Sequence, residues 1–252
     1  MDSINLTILT GAGISAESGI PTFRDSKTGL WENHKVEDVA TPAAFARDPG
    51  LVHRFYNQRR AVLDTVEPNA AHYALAKLEK YWTEKDIGGF LLITQNIDDL
   101  HERAGSKNIA HMHGEARKIR CTNCGDITNF GGANCLPEHI CGACMFVGSL
   151  RPHVVWFGEM PLYLDAIEKV LDRTHHYIAI GTSGTVMPAS LFAECVTTNG
   201  MYSELNEIVE ITKESTSNRA FTIQINEKAT IAVPEYVDLL IEQVEELRGD
   251  RK

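Results

Sequence analysis

A strand-like run, Ile4-Asn5-Leu6-Thr7-Ile8-Leu9-Thr10, leads straight into Gly11-Ala12-Gly13-Ile14-Ser15-Ala16, and this junction narrows the folds open to the chain more than any other segment. In a G-x-G-x-x-G/A pattern the first two glycines let the backbone turn sharply out of a strand and approach a pyrophosphate held at a helix N-terminus. Taken alone, the same string is equally a tight strand-to-helix turn without a ligand. Further apolar and β-branched runs end in glycine or polar turn residues at 90–94, 109–111 and 177–181. Helical patterns lie between them at 49–66, 69–82, 161–173, 188–197 and 234–247, several opening with Pro near the first turn. This alternation predicts an α/β fold with a Rossmann-like, doubly wound parallel sheet.

Two stretches break the rhythm. Residues 28–66 supply helices where a second strand is due, and 120–151 are rich in Cys and Gly. A dehydrogenase-type unit would also place an acidic residue about 20 positions on, at the end of a second strand, to hold a ribose. Here that region is Asp25-Ser26-Lys27-Thr28-Gly29-Leu30-Trp31, a loop, so a bound cofactor would be held differently. The expected organisation is one domain over 1–252. Its large lobe takes in 1–27, 67–119 and 152–252, and a small lobe is built from the helical insert 28–66 and the insert 120–151.

Within the second insert, Cys121-x2-Cys124-x16-Cys141-x2-Cys144 has the spacing of two thiolate knuckles that share one tetrahedral zinc ion. Redox CxxC pairs are the alternative, but two paired motifs at this separation suit one metal better than two disulfides. With four thiolates no coordination position stays open, so the zinc is expected to be structural. Cys135 and Cys195 read as bystanders. The N-terminus carries no basic leader and no run of about 18 apolar residues occurs; the chain is expected in the cytoplasm. A formal charge of −10 disfavours non-specific attraction to nucleic acid or an anionic membrane.

The longer string Gly11-Ala12-Gly13-Ile14-Ser15-Ala16-Glu17-Ser18-Gly19-Ile20-Pro21-Thr22-Phe23-Arg24 resembles the signature of the sirtuin family. Three further segments resemble sirtuin motifs in the same order: Thr94-Gln95-Asn96-Ile97-Asp98-Asp99-Leu100-His101, His111-Met112-His113-Gly114 and Gly181-Thr182-Ser183-Gly184. The resemblance runs from about Ile4 to Pro188 and resumes near Val233-Pro234-Glu235. It implies an NAD-dependent protein-lysine deacylase in which NAD is consumed. Gly11, Ala12, Gly13, Ser15, Pro21, Phe23, Arg24, Gln95, Asn96, Ile97, Asp98, Gly181, Thr182, Ser183 and Ala229 would hold NAD, with Asn96 and Asp98 also serving catalysis. His113 would be the general base, a role that suits an imidazole titrating near neutrality. His111, two positions earlier, leaves a minor HxH metal reading open.

By the same resemblance, the acyl-lysine amide oxygen attacks the ribose carbon as nicotinamide leaves. His113 then deprotonates a ribose hydroxyl, which attacks the resulting imidate, and water completes release of lysine and an O-acyl-ADP-ribose. Arg151-Pro152-His153-Val154-Val155-Trp156-Phe157-Gly158-Glu159 looks like the family's substrate clamp, with Val155, Phe157 and Gly158 facing an extended peptide paired between this stretch and 184–188. Tyr56-Asn57-Gln58-Arg59 and Ala40 resemble the sirtuin branch that removes succinyl, malonyl and glutaryl groups. A phenol and a guanidinium fork on one helix face, at i and i+3, suit a terminal carboxylate. Without the family, Tyr56 and Arg59 read as a solvated face. Mono-ADP-ribosyl transfer to protein, or non-catalytic sensing of NAD or acyl-ADP-ribose, are the alternatives. The late ribose contact, an Asn in sirtuins, falls either on Asn206 or, after the strand 208–211, on Thr212.

Overall fold

The computed structural model describes residues 3–22, 34–198 and 205–249. Strand β1 (Leu6–Thr10) is buried at every position and turns directly into helix α1 (Ala12–Ser15), which continues as a 3-10 turn over Ala16–Ser18. The helical insert follows as α2 (Val36–Val39), α3 (Pro42–Arg47) and α4 (Pro49–Leu63). Thr41 and Asp48 cap α3 and α4 by accepting from the N–H groups of Ala44 and Leu51 at 3.0 and 2.8 Å. Both helices open with Pro, which lacks an N–H where none is needed.

Next come α5 (Ala70–Glu84), capped by Asn69, then β2 (Phe90–Thr94), α6 (Leu100–Ala104), β3 (Ile109–His111) and β4 (Gly114–Cys121). The chain continues through β5 (Ile127–Asn129), β6 (Leu150–Val154), α7 (Leu164–Leu171), β7 (His176–Ile180) and α8 (Phe192–Thr198). It closes with β8 (Ile208–Ile211), β9 (Ile223–Ile225) and α9 (Ala229–Arg248).

Six strands form one parallel sheet in the order β3-β2-β1-β7-β8-β9. Counting this sheet's strands alone, the order is 3-2-1-4-5-6, the doubly wound arrangement expected, and its ligand crevice lies outside the carboxyl ends where the winding reverses. Alternation along β1 decides the two faces. Leu6 and Ile8 pack with Leu75, Leu78 and Trp82 of α5 and Val237 and Leu240 of α9; Leu9 faces the cluster of Ile167, Leu171 and Phe192 from α7 and α8.

A second sheet, β5-β4-β6, is antiparallel. Its strands β4 and β6 pair across the expected lobe edges at 119/120 and 151/152, so the small lobe is one sheet rather than a bare insert. A bulge between Gly114 and Ile119 puts Ala116, Ile119 and Cys121 inside, which breaks the two-residue period and hides the strand in the sequence.

Helix α9 opens at Ala229, upstream of the start expected at Pro234, which lies inside it. The cause is distant: the Glu17 carboxylate accepts from Thr230 N at 3.1 Å and Thr230 Oγ1 at 2.8 Å, capping the helix from the other end of the chain. Helix α7 is shorter than expected because Leu162 N donates to Met112 O at 2.9 Å and Tyr163 takes φ 62° before it. The helix expected from Pro188 begins instead as a 3-10 turn over Ala189–Leu191. Among the described residues no helix is long and apolar enough to cross a membrane.

Candidate active site

The registers Thr10↔Thr94, Thr10↔Ile180 and Thr94↔His111 bring the carboxyl ends of β1, β2, β3 and β7 to one edge. Gly11, Gln95 to Asp98, His113 and Gly181 to Ser183 therefore meet there. A Cβ on Gly13 would stand 2.6 Å from Gly181 Cα, and one on Gly11 would stand 2.8 Å from Gly181 O. The glycines thus serve the close approach of two strand ends, which Gly13 N→Gly181 O at 2.9 Å fastens. Pro21 is exposed at the rim; Phe23 and Arg24 lie outside the described residues.

A directed chain of hydrogen bonds fixes the polar groups. Asn96 Nδ2 donates to Gly11 O and Ser15 Oγ, both at 3.1 Å, and Ser15 Oγ donates to Asp98 Oδ2 at 2.9 Å. Asp98 Oδ1 accepts from Leu100 N at 3.2 Å. Burial pushes the Asp98 carboxyl up to about 6, against the opposing pull of the Leu100 and Ser15 bonds. His113 Nδ1 lies 3.0 Å from Gln95 O. A carbonyl only accepts, so Nδ1 carries the proton and Nε2 keeps its lone pair. Burial lowers the His113 pKa and the Gln95 bond partly opposes it. The residue after His113 is pinned: Gly114 has φ +79°, and a Cβ there would lie 2.1 Å from His153 O.

His111 stands at the edge of this group, its Nδ1 3.4 Å from Asn96 O. Burial pulls its pKa down, but a bond to Glu102 and that residue's charge raise it overall. Glu102, His111 and Glu115 gather their ligand atoms within 4.8 Å, while Lys118 Nζ sits on Glu115 at 2.7 Å. The cluster excludes His113, so the HxH metal reading does not describe it.

On the other side of the crevice, Ala40, Tyr56, Val154 and Trp156 are buried in one cluster, with Ile97 packed against it. Tyr56 is 0% exposed, which overturns the solvated-face reading. Its phenol oxygen accepts from Trp156 Nε1 at 2.9 Å. The Arg59 guanidinium carbon lies 5.0 Å from the Phe55 ring centre, and burial lowers this cation to about 10, so it stays charged at neutral pH. Val155 N donates to His113 O at 2.9 Å and Phe157 N to Ala40 O at 3.0 Å, joining the segment after β6 to His113 and to α2's end. Phe157 is exposed and Gly158 has φ 88°. Trp156, Arg151 and Glu159 received no role from the sequence, although the quoted motif contains all three. The Trp156–Tyr56 bond spans 100 positions and leaves no local signal.

At the far end of the crevice, Thr212 directly follows β8 at the sheet's carboxyl edge, where its N–H donates to Ile225 O at 3.1 Å. Asn206 precedes β8 and stands at the opposite edge. Ala229, the first residue of α9, is buried beside the Glu17 cap. Thr182 is buried, and Ser183 Oγ and Thr185 Oγ1 are 2.8 Å apart.

The four predicted metal ligands converge. The Sγ atoms of Cys121, Cys124, Cys141 and Cys144 all lie within 4.8 Å of one another, with 3.7 Å from Cys121 to Cys144 and 3.8 Å from Cys124 to Cys141. A tetrahedron with Zn–S bonds of about 2.3 Å has S···S edges of about 3.8 Å, and none of the four is in a disulfide. The cluster fits a structural zinc ion.

A doubly wound sheet with a polar crevice at its switch point, joined to a small thiolate-knuckled lobe, defines a two-lobed nucleotide-binding α/β protein. The comparisons narrow the class. The sequence profile of the Sir2 family matches residues 11–188. A protein of Leishmania major named NAD-dependent protein deacylase SIR2rp3 is 51% identical over 241 residues, covering 94% of this chain and 96% of the relative. An NAD-dependent protein deacylase of Salmonella typhimurium is also 51% identical, over 94% of this chain and 84% of its own length. The crystal structure of a Sir2 homolog–NAD complex superposes with a TM-score of 0.82 at 39% identity, covering 96% of this chain and 91% of that one. The chain belongs to the Sir2 family.

Proposed function

We propose that this chain is an NAD-dependent protein-lysine deacylase whose acyl site favours groups ending in a carboxylate, such as succinyl, malonyl or glutaryl. The first half rests on the family and on the names its relatives carry. The second rests on one observation: a fully buried phenol, Tyr56, packed in one cluster with the small side chain of Ala40 and with Ile97 of the nucleotide edge, stands one helical turn before a cation, Arg59, on α4.

NAD, when bound, supplies the ribose carbon that takes up the acyl oxygen as nicotinamide departs. Gly11, Ala12, Gly13, Ser15, Gln95, Asn96, Asp98, Thr182, Ser183 and Ala229 line the edge that would hold it, and Arg24 would complete it. His113 Nε2 takes a proton from a sugar hydroxyl, its ring held in the required tautomer by Gln95. Asn96 and Asp98 orient the sugar through the Ser15 relay. The N–H groups of Val155 and Phe157 are already engaged, so an extended substrate peptide meets their carbonyls, with Gly158 leaving room beside it. The ion-pairing of Arg59 with an acyl carboxylate is a two-pronged bond.

Succinyl-, malonyl-, glutaryl- and acetyl-lysine peptides are compared by mass spectrometry with and without NAD. Acidic acyl groups should turn over faster, and Arg59→Met should lose them by about tenfold or more while keeping acetyl turnover. Equal or better turnover of the acetyl peptide by the unaltered protein defeats the acidic preference. Nicotinamide release that persists in His113→Ala defeats the role of the base.

A further inference from the structure

We infer that Trp156 is a specificity-determining residue: its indole N–H, by donating to the Tyr56 phenol, commits the phenol O–H to donate to the far end of the acyl group. The inference rests on the acidic-acyl reading above and assigns it a second layer.

An indole N–H donates and never accepts. In the 2.9 Å bond from Trp156 Nε1 the phenol oxygen must therefore be the acceptor, and its own hydrogen must point elsewhere. Among the described residues Tyr56 has no second hydrogen-bond partner, and it is 0% exposed. A buried hydroxyl hydrogen without an acceptor is costly, because neither protein nor water replaces the bond it lost. Burial also drives the phenol pKa far above its ordinary value, so the proton stays. The result is a protonated, buried donor one helical turn before Arg59 on α4, suited to a carboxylate oxygen, which only accepts. An acetyl methyl group offers it nothing.

The indole can enforce this because it cannot turn. The Arg151 guanidinium carbon lies 3.3 Å from its ring centre, and the Phe45 ring lies 5.4 Å away on a tilted approach. Arg151 is itself locked by Glu159, with Nη1→Oε1 at 2.7 Å and Nη2→Oε2 at 3.0 Å, and by Val154 O at 3.0 Å. Glu159 Oε2 also accepts from the Trp156 backbone N–H at 2.8 Å. Trp156 lies between Val155 and Phe157, so the segment that clamps the peptide also sets the polarity of the acyl site.

Trp156→Phe keeps an aromatic face for Arg151 and removes the donor together with part of the buried ring. The ratio of kcat/KM for succinyl-lysine over acetyl-lysine peptide should fall about tenfold, carried by KM for the succinyl peptide. In a Tyr56→Phe background the same change should leave the ratio where it was. Benzothienylalanine at position 156, the same bicyclic shape with sulfur in place of N–H, covers the case in which Trp156→Phe packs badly. If the unaltered protein shows no acidic preference, the underlying functional reading fails. If the preference exists and Arg59→Met abolishes it, yet both Trp156 replacements keep the ratio or lower both substrates equally, the inference is overturned and Trp156 only packs.

Discussion

Which imidazole nitrogen is free decides what His113 can do, and a single carbonyl settles it. Gln95 O receives the Nδ1 proton, so Nε2 is the acceptor, and burial keeps the ring neutral at pH values where an exposed histidine would be partly charged. The sign follows directly: protonation removes the lone pair, so kcat/KM is flat at neutral pH and falls as pH drops through a pKa lowered below 6.5. Asp98, raised to about 6 by its burial, also titrates on the acid side, so the acid limb should be steeper than one proton. A pH profile measured with a saturating acyl peptide and limiting NAD checks this; a limb centred above 6.5 contradicts it.

Helix α4 is the wall shared by the Tyr56–Trp156 cluster and the metal lobe. Arg60 is 0% exposed and has no carboxylate partner among the described residues; its guanidinium donates to Ala133 O and Ala116 O, both at 3.0 Å, and to Asn57. Asn57 pairs with the backbone of Cys135 in both directions at 2.9 Å. Arg60→Met fills similar volume without donors and strands these acceptors, so stability should fall by about 2–4 kcal/mol. Zinc should also pass faster to a chelating dye. Thermal unfolding and dye absorbance read the two effects, and unchanged zinc release would show that α4 does not brace the knuckles. None of this was legible in the sequence, since the partners sit 56 to 78 positions away. What was legible is local: the Gly11–Gly13 turn and the cysteine spacing each state their constraint within a few residues. The start of α9 escaped because its cap, Glu17, is 213 positions distant, and β4 escaped because its bulge spoils the alternation.

The two lobes are held by different forces. The large sheet buries extended clusters on both faces, whereas the buried cluster of the knuckle lobe is Ile119, Cys121, Cys135, Cys141 and Leu150, too little apolar surface to stand without metal. Stripping zinc with a strong chelator should expose Cys121, Cys124, Cys141 and Cys144 to thiol titration and raise the KM for acyl peptide, while far-UV circular dichroism changes little. Simultaneous loss of all secondary structure would show that the lobes unfold as one unit. His113 stands at their junction. Its predecessor is hung on the nucleotide sheet by Met112 N→Thr94 O at 3.1 Å, and its successor is jammed against β6 with no space for a methyl group. A point fastened to both halves is the axle of any hinge between them, and an axle travels least: rocking of the lobes can widen or narrow the cleft while the proton acceptor stays in place.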